Sequence, residues 1–66
     1  MTMGAATGLT PPQTILLKRI KRVEERSRTG AFIEGDEVRT SMVLARRGLI
    51  VLEGRIAHIT EAGRKA

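Results

Sequence analysis

The chain has 66 residues, twelve Lys and Arg against seven Asp and Glu, a formal net charge of +5, no cysteine and one histidine. That length allows one small domain; without thiols there are no disulfides or thiolate metal sites, and His58 alone cannot build a metal centre. The charge favours a polyanionic partner, and a single aromatic residue, Phe32, excludes base-stacking readers of single strands.

In chain order, Met1 to Gly8 lacks the basic region and apolar stretch of a signal peptide. Residues 1–8 are expected to form a loose tail ahead of one domain over 9–66. No run reaches the roughly 20 apolar residues of a membrane span, so a cytoplasmic chain without membrane contact is expected. Thr10-Pro11-Pro12-Gln13 is a helix opening: Thr10 and Gln13 suit a reciprocal capping box, and prolines fit where amides lack helical partners anyway. A helix over 11–28 follows, with Leu16, Ile20, Val23 and Ser27 as its core stripe, flanked by Ile15 and Leu17. Both flanking residues are expected to fold into the monomer's own core. Lys18, Arg19, Lys21, Arg22, Arg26 and Arg28 face only Glu24 and Glu25 on the remaining surface. Cations toward a helix C-terminus suit the helix dipole, and such a face is either solvated or turned to phosphate. Interfacial helices are basic too, but this stripe is narrow, lacks Trp and Phe, and is needed for the core.

Thr29-Gly30 should end that helix. Ala31-Phe32-Ile33 predicts a short lone strand, and Glu34-Gly35-Asp36 a turn whose Asp36 caps the next helix, at 37–47. On that second helix Val38, Ser41, Met42 and Ala45 line one face with Leu44 at its edge. Arg39, Thr40, Val43, Arg46 and Arg47 take the other. Gly48 supplies the left-handed residue that closes a helix, and Leu49 the apolar contact that accompanies it. Leu49-Ile50-Val51-Leu52 and Arg55-Ile56-Ala57-His58-Ile59, divided by Glu53-Gly54, predict a β-hairpin. Ile50 and Leu52 would share its inner face with Ala57 and Ile59. Thr60 is placed to cap a last turn through Arg64, and His58 to stand exposed or half-buried on its strand.

The string Leu44-Ala45-Arg46-Arg47-Gly48-Leu49-Ile50, then a short turn and Ile59-Thr60-Glu61-Ala62-Gly63-Arg64, resembles the carboxyl half of small bacterial and phage winged-helix domains. In that family a recognition helix closes in Leu-x-x-Arg-Gly-Leu-Ile. A hairpin wing follows, and its second strand runs out in a Leu-Thr-x-x-Gly-Arg turn. Leu9-Thr10-Pro11-Pro12-Gln13 is similar to the start of the family's first helix. The resemblance covers residues 9–65, with its specific part at 44–64.

It implies an α+β fold: helix, short strand, helix, two-stranded β-hairpin wing and short C-terminal turn. It also implies a recognition-helix role for Arg39, Thr40, Val43, Arg46 and Arg47 and a wing role for Glu53, Gly54 and Arg55. Arg55 would touch phosphate or enter the minor groove, although Glu53 beside it repels the DNA backbone. Lys18 and Arg22 of the first helix would add phosphate contacts. A winged helix places another helix between its first and recognition helices. Only residues 30–36 stand there in this chain, so the helix-turn-helix is truncated. Ala57 also stands where a larger residue is usual.

The expected function is therefore that of a small basic DNA-binding protein, a transcriptional regulator or accessory factor, acting on double-stranded DNA without a cofactor. The alternative is a protein-interaction module on the same scaffold, binding another copy of itself or an acidic protein, with Ile15, Leu17, Val43, Val51 and Ile56 as the apolar patch, each of them equally a core candidate and Ile15 and Leu17 expected in the core first. Catalysis is not expected. His58 stands alone in a strand, and no phosphate-cradling glycine pattern occurs. Glu34, Asp36 and Glu37 cluster at a helix start, where capping and the dipole account for them.

Overall fold

The computed structural model describes residues 8–66, so the tail expected at 1–8 lies, apart from Gly8, outside the described residues. Thr10 opens helix α1 (Pro11–Ser27): its hydroxyl accepts from the Gln13 amide, and Gln13 Oε1 accepts from the Thr10 N–H at 3.1 Å. The helix stops one residue before the expected end. Arg28 takes the left-handed conformation, φ 62°, and its N–H bonds to the Glu24 carbonyl at 3.1 Å. The closing residue is thus an arginine rather than Gly30, with a backbone penalty of roughly 1 kcal/mol.

Leu16, Leu17 and Ile20 are buried, and Val23 packs at their margin. Ile15 is 68% exposed, against the expectation that it joins the core. At about 100° per residue it falls on the far side of Leu16 from Leu17, beyond the arc that the sheet and second helix cover. Ser27, the last member of the expected stripe, is exposed and donates to the Val23 carbonyl instead.

Strand β1 (Ala31–Phe32) is not the lone strand expected. It pairs antiparallel with β3 (Ile56–Ile59), Ala31 opposite Ala57 and Phe32 opposite Ile56, and Ile33 N–H continues the contact to the Arg55 carbonyl at 2.7 Å. With β2 (Ile50–Glu53) on its other side, β3 is the centre of a three-stranded sheet ordered β1-β3-β2. Its amides are paired from both sides for that reason. The hairpin loop is Gly54-Arg55, one residue later than expected, because Glu53 still pairs with Ile56.

Gly35–Glu37 forms a 3₁₀ turn that leads straight into helix α2 (Val38–Arg46). Asp36 therefore does not cap α2, whose first residues follow backbone that is already helical. The cap belongs to the turn: Glu37 Oε1 reaches back to the Glu34 N–H at 3.0 Å. The core face of α2 is rotated toward Leu44 relative to the expected one. Ser41 and Leu44 are buried, Val38 and Ala45 half-buried, and Met42 is 53% exposed.

Closure of α2 matches the expectation. Gly48 sits at φ 78°, its N–H bonds to the Ala45 carbonyl at 2.9 Å, and Leu49 N–H reaches the Leu44 carbonyl at 3.0 Å, the paired bonds of a glycine-stopped helix. The hairpin register places Ile50 opposite Ile59 and Leu52 opposite Ala57. Ile50 and Ala57 are buried on the face that carries the helices, and Val51 lies outward, half of its surface exposed. Thr60 caps α3 (Glu61–Lys65) by accepting from the Gly63 N–H at 3.0 Å, and its hydroxyl donates to the Gly48 carbonyl at 2.6 Å. That second bond ties the chain's last turn to the stop of α2.

The molecule is an α+β domain in which α1 lies on β3 and β1, and α2 lies on β2 and against α1. Leu16, Leu17, Ile20, Ala31, Ile33, Leu44, Ile50 and Ala57 form one core cluster between the layers. Element order and hairpin are consistent with a winged-helix-like layout in which a single 3₁₀ turn separates the first strand from the second helix. Among the described residues, no helix is long and apolar enough to cross a membrane.

Candidate nucleic-acid interface

The rotation of α2 decides which side chains it presents outward. Residues spaced by three and four lie on one helical face. Arg39, Met42, Val43 and Arg46 accordingly surround a shallow hollow of about 240 Å³. Its floor is apolar and its ends are guanidinium groups. Arg39 and Arg46 are exposed, and neither has a carboxylate partner among the described residues. The face is supported from behind by Ser41, fully buried, whose hydroxyl donates to the Val38 carbonyl at 2.7 Å.

The other expected contact residues are distributed differently. Thr40 is half-buried on the flank toward α1, in a hollow it shares with Pro12, Ile15 and Arg19, and does not line the hollow of Arg39 and Arg46. Arg47 follows the last helical residue, and its guanidinium donates to the Gly8 carbonyl at 3.3 Å, so the entering chain crosses it. Arg55 is exposed in the hairpin loop, which its own carbonyl anchors to Ile33. Lys18 and Arg22 lie exposed on α1 around Ile15 and Arg19, in a hollow that shares no residue with that of α2.

Two polar constellations had no local signal in the sequence. Arg19 makes a two-pronged pair with Glu37, both bonds 2.6 Å, joining α1 to the 3₁₀ turn. Hydrogen bonding to Arg19 holds the Glu37 carboxyl below the usual carboxylate range, and the same bond raises the Arg19 guanidinium. One basic residue of α1 is thereby committed to the fold. The second constellation centres on Glu24, whose carboxylate is only 10% exposed and accepts from the Ile59 N–H at 2.8 Å. It fills the place on β3 opposite position 29, before β1 begins. His58, half-buried as expected, has Nδ1 3.5 Å from Glu24 and Nε2 3.4 Å from Glu53. The Glu53 carboxylate, which would repel phosphate beside Arg55, thus lies near the imidazole but keeps three quarters of its surface exposed. Residues 18 and 35 positions apart meet in these contacts, beyond the reach of any periodicity.

Gly63 explains the Thr-x-x-Gly spacing physically. It is buried, and a Cβ at this position would overlap the Leu49 carbonyl oxygen and crowd Ile59. Among the described residues no three His, Asp or Glu side chains converge in a way that could hold a metal ion. What α2 offers chemically is a short apolar floor between two guanidinium groups that have no carboxylate partner among the described residues. Compared with protein-family models, curated proteins and solved structures, the chain matches none.

Proposed function

We propose that this chain is a small duplex-DNA-binding domain of winged-helix type, a transcriptional regulator or accessory factor that docks the outer face of α2 in the major groove. The observation that carries the proposal is the pair Arg39 and Arg46, exposed two turns apart on one helix face and unpaired with any described carboxylate. Guanidinium groups so placed match guanine edges and phosphate oxygens, and the apolar floor between them suits a thymine methyl. Arg47 and the hairpin residue Arg55 would add phosphate contacts, which position a protein without reading sequence.

An amide chemical-shift titration with generic duplex DNA at low salt tests this. Shifts gathered on residues 39–47 and 55, abolished in Arg39→Ala/Arg46→Ala, are the expected result. No shift and no retardation of duplex at low salt would remove the proposal. Met42 and Val43, both exposed on α2, favour a second reading, in which the same hollow takes an acidic, partly apolar protein segment. Silence toward DNA would point to that partner.

A further inference from the structure

The side of α1 turned toward α3 carries Thr14, Leu17, Lys18 and Lys21, spaced by three and four and therefore on one face of the helix. Together with Leu9 of the entering chain, Gly63 of α3 and Ala66 just after it, they line a hollow of about 210 Å³. Leu17 is buried, and Leu9 and Ala66 pack against the core cluster, so the floor is apolar. Lys21 is half-buried, and its ammonium donates to the Arg64 carbonyl at 3.2 Å, which fixes it between α1 and α3. Lys18 is exposed at the outer rim. No acidic side chain lines the hollow, and neither lysine has a carboxylate partner among the described residues.

The lining specifies an occupant by its chemistry. An ammonium group has three donors, and the bond to Arg64 leaves Lys21 two of them. Lys18 stands one turn away on the same face, so the two cations suit the two oxygens of one carboxylate. The leucines and the alanine suit an apolar body, whose transfer from water is favourable. A phosphate backbone would satisfy the lysines without covering that floor. The hollow is smaller than the roughly 300 Å³ at which pockets for drug-sized ligands begin, which limits the occupant to a small molecule. We infer that the hollow between α1 and α3 binds a small monocarboxylate with an alkyl or aryl body, its carboxylate on Lys18 and Lys21 and its body against Leu9, Leu17 and Ala66. Lys18 is thereby assigned to this site rather than to phosphate. No residue of α2 or of the hairpin lines the hollow, so the inference stands apart from DNA binding.

Amide chemical shifts of the full chain, followed while hexanoate is added, read the outcome. Saturable shifts gathered on Leu9, Thr14, Lys18, Lys21, Gly63 and Ala66 are expected. Hexanol and acetate, which each lack one half of the ligand, bind more weakly, and hexylamine leaves these residues unmoved. Lys18→Glu, at an exposed position, keeps the circular dichroism spectrum and weakens hexanoate binding about tenfold or more, as loss of a charge-assisted hydrogen bond requires; Lys18→Arg retains it. Absence of saturable shifts overturns the inference. So do shifts spread equally over Arg39 and Arg46, which mean charge attraction alone, or acetate or hexanol binding as tightly as hexanoate. A Lys18→Glu chain that binds hexanoate like wild type overturns it as well. An Arg39→Ala/Arg46→Ala chain that loses DNA and still binds hexanoate keeps the two sites separate.

Discussion

Glu24 shows how one side chain completes a sheet that is too short. β1 pairs with β3 only through Ala31 and Phe32, so the Ile59 N–H would face an empty edge had the carboxylate not reached it at 2.8 Å. A buried amide without a partner costs about 1–3 kcal/mol. Glu24→Ala is expected to lower stability by about 2 kcal/mol in denaturant melts. Glu24→Gln, which retains an acceptor oxygen, should lose less than half as much. Equal losses in the two variants would mean that the hydrogen bond is not the reason for the residue. Gly63 makes a similar point with volume: the position is closed to any side chain by the Leu49 carbonyl, a constraint created by packing that the residue's neighbours in sequence do not express.

The ends and junctions of the helices carry the next set of consequences. α1 closes on Arg28 at φ 62°, a conformation that glycine adopts without the Cβ clash. Arg28→Gly is therefore expected to raise stability by roughly 0.5–1 kcal/mol, seen as a higher melting temperature with unchanged helix content. α1 is joined to the start of α2 by Arg19 and Glu37. Because the Glu37 carboxyl titrates below its ordinary value in the folded chain, the pair's contribution is complete above the unfolded glutamate pKa of about 4.3. It disappears as pH falls through the lower folded value. Thermal melts from neutral to acidic pH should show that loss, and Glu37→Gln should flatten it. The slope will be shallow, since the Arg19 side chain is 41% exposed and solvent screens the pair. A wild-type profile identical to that of Glu37→Gln would show the pair to be silent.

For the whole molecule, a net charge of +5 guarantees attraction to any polyanion, and only the arrangement of that charge separates a docked helix from a diffuse cloud. With Arg39, Arg46, Arg47 and Arg55 each neutralising one phosphate, the logarithm of affinity should fall against that of salt with a slope near −3.6. That amounts to roughly a hundredfold loss between about 50 and 200 mM salt. Arg39→Ala/Arg46→Ala should bring the slope to about half, measured by fluorescence anisotropy on duplex DNA. A slope unchanged by that double variant would assign the attraction to α1 or elsewhere.

The sequence by itself determined the local decisions. The Thr10 capping box, the stop at Gly48, the facing of Ile50 and Leu52 with Ala57 and Ile59, and the cap at Thr60 each depend on residues a few positions apart. Period and capping chemistry make such features readable. Tertiary structure alone decided that β1 joins the sheet, that α2 turns Leu44 inward and Met42 outward, that Ile15 remains in solvent, and that Arg19 is spent on Glu37. The same holds for the candidate site: the sequence supplied its arginines, but which of them share a face followed from how α2 settles on β2 and α1. Those outcomes depend on contacts between distant segments, where burial of one face over another is a choice among competing surfaces that no single stretch of chain contains.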